Sequence, residues 1–228
     1  MNTMRLWGVI QEQLGFFRSA GTRYHLWYYR NQIWNTTTWL GVKTLKSPAD
    51  MWNYQEILCV LKPSLVIEFG TRYGGSALFF ASVMRQIGNP FKVLSVDVDG
   101  ETVSQETRKD PDIELLTMSS IDPGVAARIA TLRSQYRGPA FAILDSDHRQ
   151  AHVLAEMKSL RPVLVSGDYL VVEDSNVNGH PVCTAHGPGP FEARDEYFRE
   201  FPDDYKFDTA REGKFGFTFA TKGFLIRR

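Results

Sequence analysis

The chain has 228 residues, 43% of them hydrophobic and 13% aromatic, enough to bury the core of one α/β domain without staples. Lysine plus arginine and aspartate plus glutamate both total 26, so no global field draws in nucleic acid or an acidic membrane surface, and a small-molecule partner fits better. Cys59 and Cys183 are too few for a disulfide framework, no stretch approaches about 18 consecutive apolar residues, and Met1 to Ile10 lack the pattern of a signal peptide. A cytoplasmic protein without membrane insertion is expected.

In chain order, Trp7, Ile10, Leu14 and Phe17 recur at the spacing of one helix face, and Tyr24 to Trp39 adds a second aromatic-rich stretch. Residues 1–46 therefore read as an extension: a pair of helices packed on the sheet or on another subunit, or a lid over substrate. Residues 47–228 read as the core domain. Ser47-Pro48-Ala49-Asp50 has the form of a helix start, and Met51, Tyr54, Ile57, Leu58 and Leu61 supply an apolar face, which predicts a helix from Pro48 to Leu61.

Short runs rich in Val, Ile and Leu follow at Leu65 to Phe69, Val93 to Val96, Ile113 to Thr117, Ala140 to Leu144 and Tyr169 to Val172. Between them lie helical stretches at Ser76 to Gln86, Thr102 to Asp110, Gly124 to Tyr136 and Gln150 to Leu160. Continuous apolar strands alternating with helices predict an α/β fold with a parallel sheet covered on both faces. The last third opens with a Gly- and Pro-containing loop, Ser175 to Pro190, and a helix from Phe191 to Phe201. Tyr205 to Phe207 and the apolar runs Phe215 to Ala220 and Gly223 to Ile226 are close enough to form a hairpin.

The turn after the first core strand reads Glu68-Phe69-Gly70-Thr71-Arg72-Tyr73-Gly74-Gly75-Ser76. In a doubly wound sheet such a turn lets a ligand approach the backbone beyond the strand ends. A dinucleotide fingerprint would need G-x-G-x-x-G, whereas here a carboxylate stands before the first glycine. Glu68 suits an amino-acid ammonium or bound water better than a pyrophosphate, which points to S-adenosylmethionine. Gly70, Thr71, Gly74 and Ser76 belong to that turn. Asp97 ends the second strand about 20 residues on, where an acidic side chain can accept from ribose hydroxyls. Ser119 and Ser120, after the third strand, suit the adenine edge or a helix cap.

The fourth strand ends in Leu144-Asp145-Ser146-Asp147-His148 and the fifth in Val172-Glu173-Asp174-Ser175-Asn176. Asp145, Glu173 and Asp174 can converge at one crevice. Carboxylates gathered without cationic partners repel unless a hard divalent cation joins them, and an all-oxygen set favours magnesium. Such a cation can bind vicinal hydroxyls and acidify one, with Asp145 shared between cofactor, metal and catalysis and His148 as general base. Asp147 should point away from Asp145 by strand alternation. His180 and His186 in the long loop suit either substrate contact or loop hydrogen bonding.

These segments, with Trp39-Leu40-Gly41, Lys46 to Glu56 and Gly187-Pro188-Gly189-Pro190, resemble the cephalosporin hydroxylase family. Its class I methyltransferase fold implies a mostly parallel, Rossmann-like seven-stranded sheet with an antiparallel C-terminal hairpin, here supplied by Phe215 to Ile226, and frequent homo-oligomers. The chain resembles magnesium-dependent macrolide-sugar and rhamnosyl O-methyltransferases, and in the macrolide-sugar enzymes an Asp-x-x-His segment and a later Glu-Asp pair supply magnesium ligands and a catalytic His. Asp145 to His148 and Glu173-Asp174 keep that pattern. The chain departs in lacking a large N-terminal domain, and it carries no iron facial triad or flavin motif that would support hydroxylase chemistry.

The expected function is S-adenosylmethionine- and Mg2+-dependent O-methyl transfer to a hydroxyl of a sugar or polyhydroxylated natural product. A non-catalytic nucleoside-binding or assembly subunit and a nicotinamide-dependent oxidoreductase are the alternatives.

Overall fold

A computed structural model describes residues 19–228. The expected helix face at Trp7, Ile10, Leu14 and Phe17 lies outside the described residues. Among those described, a seven-stranded sheet dominates, in the order β5-β4-β3-β6-β7-β9-β8. Its strands are β3 (Leu65–Phe69), β4 (Lys92–Asp97), β5 (Ile113–Thr117), β6 (Ala140–Leu144), β7 (Tyr169–Val172), β8 (Tyr205–Phe207) and β9 (Phe224–Arg227). The first five are mutually parallel, and β9 runs antiparallel between β7 and β8. The chain winds outward from β3 through β4 to β5, then returns to place β6 on the other side of β3. The topological switch therefore falls between β3 and β6.

All five residues of β3 and of β6 are buried, as the unbroken apolar runs require when both sheet faces are covered. Leu65, Ile67 and Phe69 face Val125 and Ile129 of α5 (Pro123–Gln135), Val153 and Met157 of α6 (Gln150–Leu160), and Tyr197 of α7 (Pro190–Glu200). Val66, Phe141 and Ile143 face Tyr54 and Leu58 of α2 (Pro48–Leu61) and Phe80 and Met84 of α3 (Gly75–Ile87). Pro48 starts α2 in the position where its missing N–H costs nothing, and Lys62 ends it in a left-handed turn.

Three local expectations change. Helix α4 covers only Gln105–Lys109, because the Ser104 hydroxyl accepts from the Thr107 N–H and starts the helix late. The aromatic stretch from Tyr24 is not one helix. It comprises α1 (Ala20–Arg30), a 3-10 turn (Ile33–Thr36) and a small hairpin of β1 (Thr38–Trp39) with β2 (Val42–Lys43). Trp39 packs edge-on against Phe79 at 4.9 Å and so fastens that hairpin to α3.

Of the three runs expected to form the C-terminal hairpin, Tyr205 to Phe207 and the run ending at Ile226 pair as β8 and β9, across the short α8 (Thr209–Gly213), while Phe215 to Ala220 stays outside the sheet as a loop. That loop spends its backbone elsewhere: the Phe219 N–H donates to the buried Asp50 carboxylate at 2.9 Å, and the Phe219 carbonyl accepts from the Asn176 N–H at 3.1 Å. Phe217 and Phe219 meanwhile enter an aromatic cluster with His25 and Tyr28 of α1. No helix among the described residues is long and apolar enough to cross a membrane.

Candidate active site

The carboxyl ends of β3 to β7 open into a cavity of about 650 Å3, within the usual range of roughly 300–1,000 Å3 for small-ligand sites. The strand ends divide its lining in two: the first end, at β3 to β5 and the turns after them, contributes Gly70, Thr71, Ser76, Asp97, Ser119 and Ser120, and the second, at β6 and β7, contributes Asp145, His148 and Asp174, joined by Tyr29, Trp34 and Phe219; the two meet where Gly70 abuts Asp145.

At the first end, Gly70 has φ +103°, and a Cβ there would lie 2.0 Å from the Asp145 carbonyl oxygen, so only glycine lets the β3 and β6 ends come together. The Asp97 carboxylate accepts from the backbone N–H groups of Arg72 and Asp99 at 2.8 and 3.0 Å, which ties the β4 end to the turn. The Ser120 hydroxyl donates to the buried Glu156 and lies 2.9 Å from His152 Nε2.

Two expected cofactor residues stand behind this wall. Gly74 packs against Thr107 as the left-handed residue preceding α3. Glu68 is fully buried: its carboxylate accepts from the Ser95 hydroxyl, which in turn is 2.6 Å from the Thr71 hydroxyl. Burial, only partly offset by Lys46, raises Glu68 to about 7. It therefore shapes the turn from beneath.

Register explains the acidic end. Phe69 pairs with Leu144 and Leu144 with Val172, so Asp145 and Glu173 continue adjacent strands on the same sheet face as Glu68. Asp174, the next residue, takes a left-handed φ of 49°, costly for a residue with a Cβ, and its carboxylate comes to His148. His148 Nε2 sits 3.3 Å from both Asp145 and Asp174 and makes no hydrogen bond among the described residues. Ligand atoms of Asp145, His148 and Asp174 all lie within 4.8 Å of one another.

The supposition that the carboxylates lack a cationic partner is corrected here. Lys46, in the loop before α2, is almost fully buried and its ammonium donates to both Asp145 and Glu173. The second Glu173 oxygen accepts from the Tyr54 hydroxyl at 2.5 Å. Glu173 is thus engaged by Lys46 and Tyr54, one step back from the Asp145, His148 and Asp174 cluster.

Burial works against the Lys46 charge, but Asp145, Glu173 and Glu68 outweigh it and hold the ammonium above its ordinary range. Burial alone would lower the His148 imidazole, yet Asp174 and Asp145 raise it to about 9. A divalent cation between the two aspartates would cancel their pull and return the imidazole toward its neutral, basic form.

The remaining candidates fall outside this group. Asp147 pairs with Arg149 at the cavity rim. His180 stacks on Phe191 at 3.6 Å with its Nε2 3.0 Å from Glu192, and His186 Nδ1 lies 3.2 Å from the Gly187 carbonyl; neither lines the cavity.

Residues 31–228 match the model of the rhamnosyl O-methyltransferase/CmcI family. The chain belongs to this family. A rhamnosyl O-methyltransferase of Mycobacterium leprae strain TN is 61% identical over 210 residues, 92% of this chain and 91% of that protein. The rhamnosyl O-methyltransferase of Mycobacterium tuberculosis H37Rv is 60% identical over 209 residues, 92% of this chain and 85% of its own length. A solved structure of CmcI with Mg and SAM is 23% identical, with a TM-score of 0.65 over 85% of this chain and 77% of that one. Its likeness confirms the fold.

The sequence alone did not mark Lys46, Tyr54, Tyr29, Trp34 and Phe219 as parts of the site, whereas His152, in the helix after the acidic cluster, fits an orienting role beside Ser120. Tyr29 and Trp34 had a signal, since they lie in the aromatic-rich stretch. Lys46 opens the Lys46 to Glu56 segment that carries the resemblance, but nothing local marks it as the partner of Asp145 and Glu173, 99 and 127 positions away.

Proposed function

We propose that the chain is an S-adenosylmethionine- and Mg2+-dependent O-methyltransferase acting on a hydroxyl of a rhamnosyl-type sugar. The observation that carries this reading is the convergence of Asp145, His148 and Asp174 at one end of a crevice whose other end presents Gly70, Asp97 and Ser119. Identity of 60–61% with rhamnosyl O-methyltransferases over 92% of the chain supports both the methyl transfer and the sugar. Residues 47–228 are then the catalytic domain, and the described part of the preceding extension borders the cavity through Tyr29, Trp34, Thr44 and Leu45.

Both groups fit the residues present. The close acidic pair, with ligand atoms of Asp145, His148 and Asp174 within 4.8 Å of one another, suits a hard cation held by Asp145 and Asp174, with Glu173 beside them. The first end offers a close-approach glycine and a carboxylate at the β4 end, suited to a nucleoside. When bound, S-adenosylmethionine supplies an electrophilic methyl and the cation favours the ionised form of an acceptor hydroxyl.

The protein's own contribution is position and proton handling. Gly70, Thr71 and Asp97 orient the donor, while Asp145 and Asp174 hold the acceptor end. His148 Nε2 takes the hydroxyl proton as the acceptor oxygen bonds to the methyl carbon and the sulfur–carbon bond breaks.

The experiment is incubation of the full chain with S-adenosylmethionine, Mg2+ and a rhamnoside, with the product read by mass spectrometry. One added methyl is expected, lost with EDTA and reduced roughly 10²–10⁴-fold in His148→Ala. Full activity of His148→Ala at neutral pH would remove it as the base. Binding of the methyl donor without transfer to any hydroxylated acceptor would favour a silent nucleoside-binding subunit.

A further inference from the structure

Beyond the acidic cluster the cavity is walled by three aromatic side chains. Tyr29 comes from α1, Trp34 from the 3-10 turn, and Phe219 from the 215–220 loop. The Tyr29 and Trp34 rings lie 5.9 Å apart at 34°, and Phe219 meets Tyr29 edge-on at 5.6 Å. Phe219 is buried, whereas Tyr29 and Trp34 keep part of their surface toward the cavity. None of the three belongs to a strand or turn that forms the nucleoside end, and all three line the same cavity as Asp145, His148 and Asp174. The wall therefore adjoins the place where the acceptor hydroxyl must sit.

We propose that Tyr29 and Trp34, backed by Phe219, form a stacking platform that makes the stretch from Tyr29 to Trp34 the acceptor-specificity element, selecting a 6-deoxyhexose over its 6-hydroxy counterpart. This rests on the sugar O-methyl transfer proposed above.

The chemistry follows from the two sugars. A hexopyranose presents patches of C–H bonds on its ring faces, which lie against aromatic rings without desolvating hydroxyls. A 6-deoxy sugar adds a methyl group that such a wall buries favourably. The 6-hydroxy analogue places a hydroxyl there, and the aromatic faces offer it no hydrogen-bond partner. Discrimination by a hydrophobic surface of this kind is on the order of 10- to 100-fold in kcat/KM.

The test compares methyl α-L-rhamnoside with methyl α-L-mannoside on the full chain with Mg2+, by steady-state kinetics and by saturation-transfer NMR in the presence of S-adenosylhomocysteine. Wild type should prefer the rhamnoside about tenfold or more. Trp34→Ala should raise KM for the rhamnoside about tenfold, leave kcat within a few-fold, collapse the preference and weaken the NMR signal. The Kd for S-adenosylhomocysteine should not move, which also shows that the variant is folded, and Trp34→Phe should retain most of the preference.

Unchanged KM, preference and NMR signal in Trp34→Ala would overturn the platform, as would failure of the wild type to bind the rhamnoside. A parallel loss of S-adenosylhomocysteine binding would overturn it too, by assigning the wall to the donor. Trp34-dependent rhamnoside binding without methyl transfer would leave the platform standing and overturn the methyl-transfer reading instead.

Discussion

Lys46 brings a positive charge into a region where Glu68, Asp145 and Glu173 share one sheet face, and it is the groups around it that decide what its removal does. Taking away one partner of a buried ion pair leaves uncompensated charge and costs about 3–5 kcal/mol. In Lys46→Met the stranded groups are carboxylates, which a divalent cation can satisfy. The variant should therefore melt well below wild type in EDTA and recover a larger increment on adding Mg2+ than wild type does. Differential scanning fluorimetry with and without the metal checks this, and equal Mg2+ increments in the two proteins would refute it.

The acidic residues were legible from strand ends alone, because β6 and β7 are apolar runs whose first polar residues must emerge at the same edge of a parallel sheet. Their cation was not, since a buried lysine is selected by tertiary neighbours rather than by any local pattern. Nor was the retreat of Glu68 from the cavity: its position before Gly70 could be read, but burial beneath the turn depends on Ser95, a partner from the next strand.

At the scale of elements, α1 is clamped to the loop that follows β7. His25 is buried, its Nε2 lies 2.9 Å from the Asn176 amide nitrogen, and its ring stacks on Phe219. Burial lowers the His25 imidazole from its ordinary 6.5 to about 4. Between those values the unfolded chain binds the proton that the folded chain excludes. Stability from this group is thus complete above about pH 6.5, falls as pH drops toward 4, and is fully lost below that; the window spans about 3 kcal/mol.

Urea denaturation at pH 7 and pH 4.5 should show a drop in wild type that is smaller by up to that amount in His25→Gln. Identical drops in the two proteins would show that His25 is not the group responsible. The same clamp explains why the sequence misassigned the neighbouring segment. Phe215 to Ala220 has a strand's composition, yet Asp50 and Asn176 take its backbone groups and the α1 aromatics take its rings. The β3 to β7 strands were readable because a two-sided sheet leaves an unbroken apolar signature, which a loop stitched by side chains does not share.

Over the whole molecule, the switch between β3 and β6 divides the cavity lining so that the strands wound to one side supply Asp97 and Ser119, the proposed nucleoside end, and the strands wound to the other supply Asp145 and Asp174. The two ends therefore respond to different ligands and different substitutions. A ligand at 100 times its Kd stabilises the folded state by about 2.7 kcal/mol, which for a chain of this size is a rise in Tm of roughly 5–10 °C. S-adenosylhomocysteine should give such a rise in wild type and in Asp174→Asn but lose most of it in Asp97→Ala. Mg2+ should show the reverse, stabilising Asp97→Ala while giving little increment in Asp174→Asn. Since the two positions lie on opposite sides of the switch with no shared partner, their effects should add. Loss of both responses on substituting Asp97 alone or Asp174 alone would mean that the cavity folds around its ligands as one unit, and the proposed division between donor-holding and acceptor-holding strands would have to be abandoned.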